Sequence, residues 1–205
     1  DCSERRFVFW IRNTLGYDAH KSQTFLSQNS ILEIMRIFLI SGSRCSGKTS
    51  FCNSLIKSAE DKGIVCRGCI EISQRSENGI PHSIDLYNVS NGDTFLAASR
   101  PIDRGDVPFE YSPDAFAHIR KSYIQTVESD IISQHPQNIP DKKREICLID
   151  EIGPLELEHR GGHLSLLEFV LGTKSPDALV LTVRTGLKYS LMSFLINHGI
   201  SADHI

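Results

Sequence analysis

The chain has 205 residues, a hydrophobic content of 40 % and a formal net charge of −3. That length suits one large α/β domain, or one domain plus an arm, and the apolar share is ordinary for a globular core. The slightly acidic balance gives no electrostatic case for nucleic-acid binding, and no apolar stretch has the length of a bilayer span. Neither a nucleic acid nor a membrane is therefore expected as a partner. The apolar patch Phe7–Ile11 is short, is flanked by Arg5, Arg6 and Arg12, and lacks the small-residue cleavage site of a signal peptide. The six Cys show no disulfide framework, which points to reduced thiols and a cytoplasmic location. Cys66-Arg67-Gly68-Cys69 has CxxC spacing, but no second Cys or His pair stands at zinc-site distance, so the pair reads as two strand-end thiols.

Residues 1–34 are polar and mixed. They fit a helical arm, a remnant of an upstream domain or a partly ordered tail, and could carry a protein partner. Residues 35–205 read as one domain. Ile37-Phe38-Leu39-Ile40 is a continuous apolar run, the signature of a strand buried on both faces. After a loop over Gly42–Thr49, apolar residues at Phe51, Leu55, Ile56 and Ala59 predict a helix over 50–62 that stops at Gly63. Short β-type pieces over 64–72, 83–89 and 94–98 are separated by Asn78-Gly79 and Asn91-Gly92, a strong hairpin signal. The stretch 64–98 is thus expected as an antiparallel β-hairpin insertion. A loop over 100–111 leads to Ser112-Pro113-Asp114, which has an N-cap Ser and Pro at the first helical position. The core stripe of that helix is Phe116, Ile119, Tyr123, Val127 and Ile131, and Pro136 and Pro140 mark the loop that follows. Ile146-Cys147-Leu148-Ile149 is a second buried-strand run and Leu179–Val183 a third. Helices are predicted over 163–171, closed by Gly172, and over 187–198, closed by Gly199. Continuous apolar strands alternating with helices predict a three-layer α/β fold around a mainly parallel sheet.

Gly42-Ser43-Arg44-Cys45-Ser46-Gly47-Lys48-Thr49 matches GxxxxGK[ST] at every position. In this P-loop pattern the glycines let the backbone curl, so that successive N–H groups face the phosphates of a nucleotide. The helix that follows adds its positive N-terminal end. Lys48 is expected on the β- and γ-phosphates, the Thr49 hydroxyl on Mg2+, and the loop together with Ser50 around the phosphates. The run Ile146–Ile149 ends in Asp150-Glu151, a Walker-B pattern. A carboxylate there, at the tip of a neighbouring strand, holds the metal directly or through water. Glu151 is placed to orient or deprotonate the attacking water.

Asp150-Glu151-Ile152-Gly153-Pro154-Leu155-Glu156-Leu157, followed by Gly161-Gly162, resembles the Walker-B region of one P-loop nucleoside-triphosphatase family. That family includes the cancer-related nucleoside-triphosphatase of animals and its thermophile and bacterial relatives. The likeness extends to Gly68–Gly92, to Tyr111–Phe116 and to Leu181-Thr182-Val183-Arg184. The resemblance implies a compact RecA-like (ASCE-type) P-loop domain with an extra strand between the two Walker strands. It also implies slow, Mg-dependent hydrolysis of ATP, GTP and other nucleoside triphosphates. By position, it puts the phosphates on Gly42–Thr49, the metal on Thr49 and Asp150, and water activation on Glu151. Arg44-Cys45 departs from it, since many relatives have Pro or Gly there.

Arg184, just past a central strand, stands where an arginine finger in cis would reach the γ-phosphate, or is a surface residue. Arg100 and Arg104 lie in a loop that could close over the nucleotide. Cys45 beside Lys48 suggests a redox-sensitive thiol as a minor reading. His159 and His163 read as surface residues flanking Gly161-Gly162. A nucleotide or small-molecule kinase is the alternative enzyme, disfavoured by the lack of an Arg-dense lid. A nucleotide-gated binding module is the alternative from another class.

Overall fold

The computed structural model describes residues 35–133 and 143–205, all within one compact unit spanning Glu33–Ile205. Residues 1–34 and the expected loop at Pro136 and Pro140 lie outside the described residues, as does the Ile131 side chain. The first elements are β1 (Arg36–Gly42), α1 (Lys48–Glu60), β2 (Val65–Arg75), β3 (Pro81–Asn88), β4 (Thr94–Ser99) and β5 (Glu110–Tyr111). They are followed by α2 (Pro113–Ser133), β6 (Glu145–Ile152), α3 (Pro154–Leu157), α4 (Leu164–Thr173), β7 (Ala178–Arg184) and α5 (Lys188–Asn197).

All seven strands form one mixed sheet in the order β1-β7-β6-β2-β3-β4-β5. β1, β7, β6 and β2 are mutually parallel, whereas β3, β4 and β5 add antiparallel strands beside β2. β7 therefore lies between β1 and β6. β2 belongs to both halves, parallel to β6 over Val65–Cys69 and antiparallel to β3 over Cys69–Arg75. The Asn78-Gly79 and Asn91-Gly92 signals fall in the two turns that join β2, β3 and β4.

Alternation along β6 shows how the sheet is covered. Cys147 and Ile149 join a core cluster with Phe116, Ile119 and Tyr123 of α2, Leu166, Leu167 and Val170 of α4, and Leu191 and Leu195 of α5. Ile146 and Leu148 are equally buried but lie outside that cluster, as do Cys52, Leu55 and Ala59 of α1. Successive strand residues face opposite sides, which accounts for strands that read as continuous apolar runs.

Four expectations are corrected. Phe38, Leu39 and Ile40 are only half-buried, because among the described residues β1 is an outer strand of the sheet. α4 runs through Gly172 to Thr173, and its C-cap is Lys174 in the left-handed region at φ 49. Cys66 and Cys69 are buried strand residues rather than strand-end thiols, three apart and hence on opposite faces of β2. Burial pushes the Cys66 thiol up to about 12. His163 is 1 % exposed instead of lying on the surface, because α4 and its preceding turn pack it edge-on against Phe116.

Candidate functional site

Four parallel strands present their C-terminal ends to one edge of the sheet, the edge where ligands bind in open α/β folds. Gly42 ends β1, Arg184 ends β7, Asp150 and Glu151 lie at the C-terminal end of β6, and the second half of β2 overruns its pairing with β6. Lys48 and Thr49 already belong to α1, so the true loop is Ser43–Gly47. Cys45 and Gly47 have positive φ, 60 and 88 degrees, which turns successive N–H groups toward one concavity. A Cβ on Gly42 would lie 2.3 Å from Ser46 Oγ and 3.3 Å from its Cβ, so a side chain there would push Ser46 out of its place in the loop. No side chain caps the N-terminus of α1. Its first N–H groups, unsatisfied within the helix, remain available to an anion.

Lys48 is 7 % exposed, and its ammonium donates to the carbonyls of Ser43 (3.1 Å) and Gly42 (3.4 Å). It also stands 3.8 Å from Glu151 Oε2. Asp150 is fully buried. Its carboxylate accepts hydrogen bonds from the hydroxyls of Thr49 (2.8 Å) and Thr182 (2.5 Å). Burial raises the Asp150 carboxyl above its usual range; the two hydroxyls pull it back, and Glu151 adds to the rise. Glu151 accepts from Arg184 Nε at 2.6 Å. The carboxylate nominated as a base thus sits between Lys48 and Arg184.

Several neighbours had no site role on sequence alone. Glu71, on the overrunning half of β2, has a carboxyl held well above the usual range by burial and by Asp150 and Glu151. Glu156, 3 % exposed, accepts from the backbone N–H of Gly153 (2.8 Å) and of His163 (2.9 Å), tying the turn after β6 to the start of α4. A Cβ on Gly162 would lie 2.0 Å from Glu156 Oε1, a physical reason for the Gly161-Gly162 pair. His163 faces Cys69 (3.5 Å) and Glu71 (3.8 Å), and burial lowers its pKa. Gly153-Pro154-Leu155-Glu156 held the only advance signal: an acid three residues after a helix start can reach back to the cap.

Arg100 and Arg104 are held by partners in and beside their own loop. Arg100 donates to the carbonyls of Pro81, Gly105 and Val107 and packs 4.4 Å over Phe109, so it builds its own loop. Arg104 is paired with Asp106 at the surface.

A glycine-containing loop feeding an uncapped helix, with a lysine and a strand-borne acid beside it, defines a P-loop nucleotide-binding α/β protein. Comparison with known proteins narrows the class. A family model described as NTPase matches residues 37–195, and the chain belongs to that family of P-loop NTPases. Among solved structures, the chain is similar to the solution structure of a human cancer-related nucleoside triphosphatase, with a TM-score of 0.51 and 15 % identity. That likeness covers 78 % of this chain and 84 % of the other, and at such identity it speaks for the fold. A comparison with curated proteins gives no match. Among the described residues no helix is long and apolar enough to cross a membrane.

Proposed function

We propose that this NTPase hydrolyses ATP, GTP and other nucleoside 5'-triphosphates to the diphosphate and phosphate, with Mg2+. The observation that carries the reading is the bond from Thr49 to Asp150, which brings a P-loop hydroxyl and a strand-end carboxylate within 2.8 Å. These are two hard oxygen donors, the kind Mg2+ takes. The donor set fits the ion, and Thr49 and Asp150 would hold it. Bound there, it would neutralise negative charge on the phosphates. Gly42–Thr49 and Ser50 cradle the phosphates, and Lys48 leaves the Ser43 carbonyl for the β- and γ-phosphates. Glu151 holds the attacking water, with Arg184 fixing its carboxylate. The water oxygen bonds to the γ-phosphorus, the bond to the β–γ bridging oxygen breaks, and the electron pair stays on the diphosphate. The water proton passes through Glu151 to solvent or phosphate.

The position of β7 between β1 and β6, and the two separate apolar faces of β6, support the three-layer RecA-like (ASCE-type) reading. The antiparallel strands after β2 support the hairpin insertion.

The test compares Glu151→Gln with wild type in phosphate release and in binding of a non-hydrolysable analogue with Mg2+. Binding within about threefold of wild type and turnover reduced by about 10²-fold or more are expected, the scale of a lost general base. Wild-type turnover in Glu151→Gln would sink the assignment of the base.

A further inference from the structure

The reading above gives no role to Arg75, a cation that reaches the phosphate loop. β2 pairs with β6 only as far as Cys69, and its remaining residues continue over the carboxyl edge of the sheet as one arm of the β2–β3 hairpin. The last of them is Arg75. Its Nη1 donates to Gly79 O at 2.8 Å, across the Asn78-Gly79 turn, and its Nη2 donates to Cys45 Sγ at 3.2 Å. A guanidinium rooted three strands away from β1 therefore touches the middle residue of the phosphate loop.

Three features make this more than a surface contact. First, the partners are a carbonyl and a cysteine sulfur, and no ion pair among the described residues involves Arg75, so its charge is not matched by a carboxylate. A thiol is a weak acceptor, whereas a phosphate oxygen forms a charge-assisted, two-pronged bond with the guanidinium fork. Second, the three arginines singled out from the sequence are committed. Arg184 is bound to Glu151, Arg100 to three carbonyls and Arg104 to Asp106. Third, the hairpin tip is braced: Asn78 Nδ2 donates to Asp103 at 3.1 Å, which joins the turn to the loop before β5.

We propose that Arg75 is a phosphate-contacting catalytic residue of this NTPase, an arginine finger delivered in cis by the β2–β3 hairpin. The assignment rests on the hydrolytic reading and deepens it. With nucleotide bound, the guanidinium exchanges Cys45 Sγ for oxygens of the γ-phosphoryl group and spreads the charge that develops there. Arg184 keeps its place on Glu151 and orients the base. Arg75 takes the finger role that sequence position alone offered to Arg184.

The experiment measures kcat, KM and analogue binding for wild type, Arg75→Ala, Arg75→Lys, Arg184→Ala and Arg44→Ala, with melting temperature as a fold control. Arg75→Ala is expected to lose about 10²–10³-fold in kcat, the worth of one donor aimed at developing charge, with analogue binding weakened less than about tenfold. Arg75→Lys is expected to recover only part of the rate, since it restores charge without the fork. Added guanidinium ion, at millimolar concentration well below denaturing levels, should restore turnover to Arg75→Ala and not to Arg184→Ala. A structural role for Arg75 would give no such rescue. Wild-type kcat in Arg75→Ala, loss without guanidinium rescue, or a rescuable loss in Arg44→Ala instead would each overturn the assignment. A wild-type protein that neither binds nor hydrolyses any nucleotide would overturn the functional reading itself, and the assignment with it.

Discussion

Replacing Glu156 by alanine tests the packing behind the site. The Glu156 carboxylate is the acceptor for two buried backbone donors, Gly153 N–H at 2.8 Å and His163 N–H at 2.9 Å. Alanine leaves both without a partner, and an unmade bond to a buried donor costs about 1–3 kcal/mol, so the gross loss is about 2–6 kcal/mol. Removal of a desolvated acid returns part of this, because burial holds the Glu156 carboxyl above its usual range. The net loss then falls toward the lower half, about 2–4 kcal/mol. That is a large share of the roughly 5–15 kcal/mol that keeps a domain folded. For a domain of this size it corresponds to a melting temperature lower by about 4–16 °C. Urea unfolding of wild type, Glu156→Gln and Glu156→Ala measures it. Glutamine keeps one acceptor oxygen, so it should lose roughly half as much. A Glu156→Ala midpoint equivalent to less than about 0.5 kcal/mol, the scale of an ordinary surface change, would refute the bridge as a stabilising contact.

Other substitutions probe the same edge of the sheet. Gly162→Ala should destabilise by about 1–3 kcal/mol in thermal unfolding, since its Cβ would sit 2.0 Å from Glu156 Oε1 and must displace that bond. Lys48→Ala should abolish phosphate release while leaving the fold intact by circular dichroism, because the ammonium bonds only loop carbonyls and Glu151. Asp150→Asn should raise the melting temperature of the metal-free protein, by an amount that depends on pH. The folded Asp150 carboxyl titrates above its unfolded value, so the folded state binds more protons in between and wild-type stability falls as pH rises through that window. The advantage of Asp150→Asn should therefore vanish below the ordinary carboxylate range and grow above it. A pH-independent difference would refute the burial argument. The same variant should lose Mg-dependent turnover.

Much of the architecture was legible because local chemistry dictates it. Ile146–Ile149 and Leu179–Val183 read as continuous apolar strands and are central in the sheet, where both faces are covered. The two Asn-Gly turns fall between antiparallel strands. Ser112-Pro113 stands where α2 begins. Such signals involve residues a few positions apart, whose preferred backbone angles survive in any fold. The P-loop belongs with them: the left-handed residues, the lysine and the threonine are all contained in eight consecutive positions.

What the chain order could not reveal depends on residues far apart in sequence. His163 looked like a surface residue beside two glycines and is buried, because α2 and β2 converge on it from 40 to 100 positions away. Glu71 lies in a stretch that reads as an ordinary β strand, and only the pairing of β2 with β6 carries it to the acids at the end of β6. The arginines divide in the same way. Arg184, Arg100, Arg104 and Arg75 are equivalent charges in one dimension, and the strand order sets one beside Glu151, binds two within their own loop, and lays the last against Cys45. Sequence alone determined that this protein has a phosphate loop with an acid opposite it. Tertiary structure decided which charges surround them, because electrostatic partners are chosen by distance in space and not along the chain.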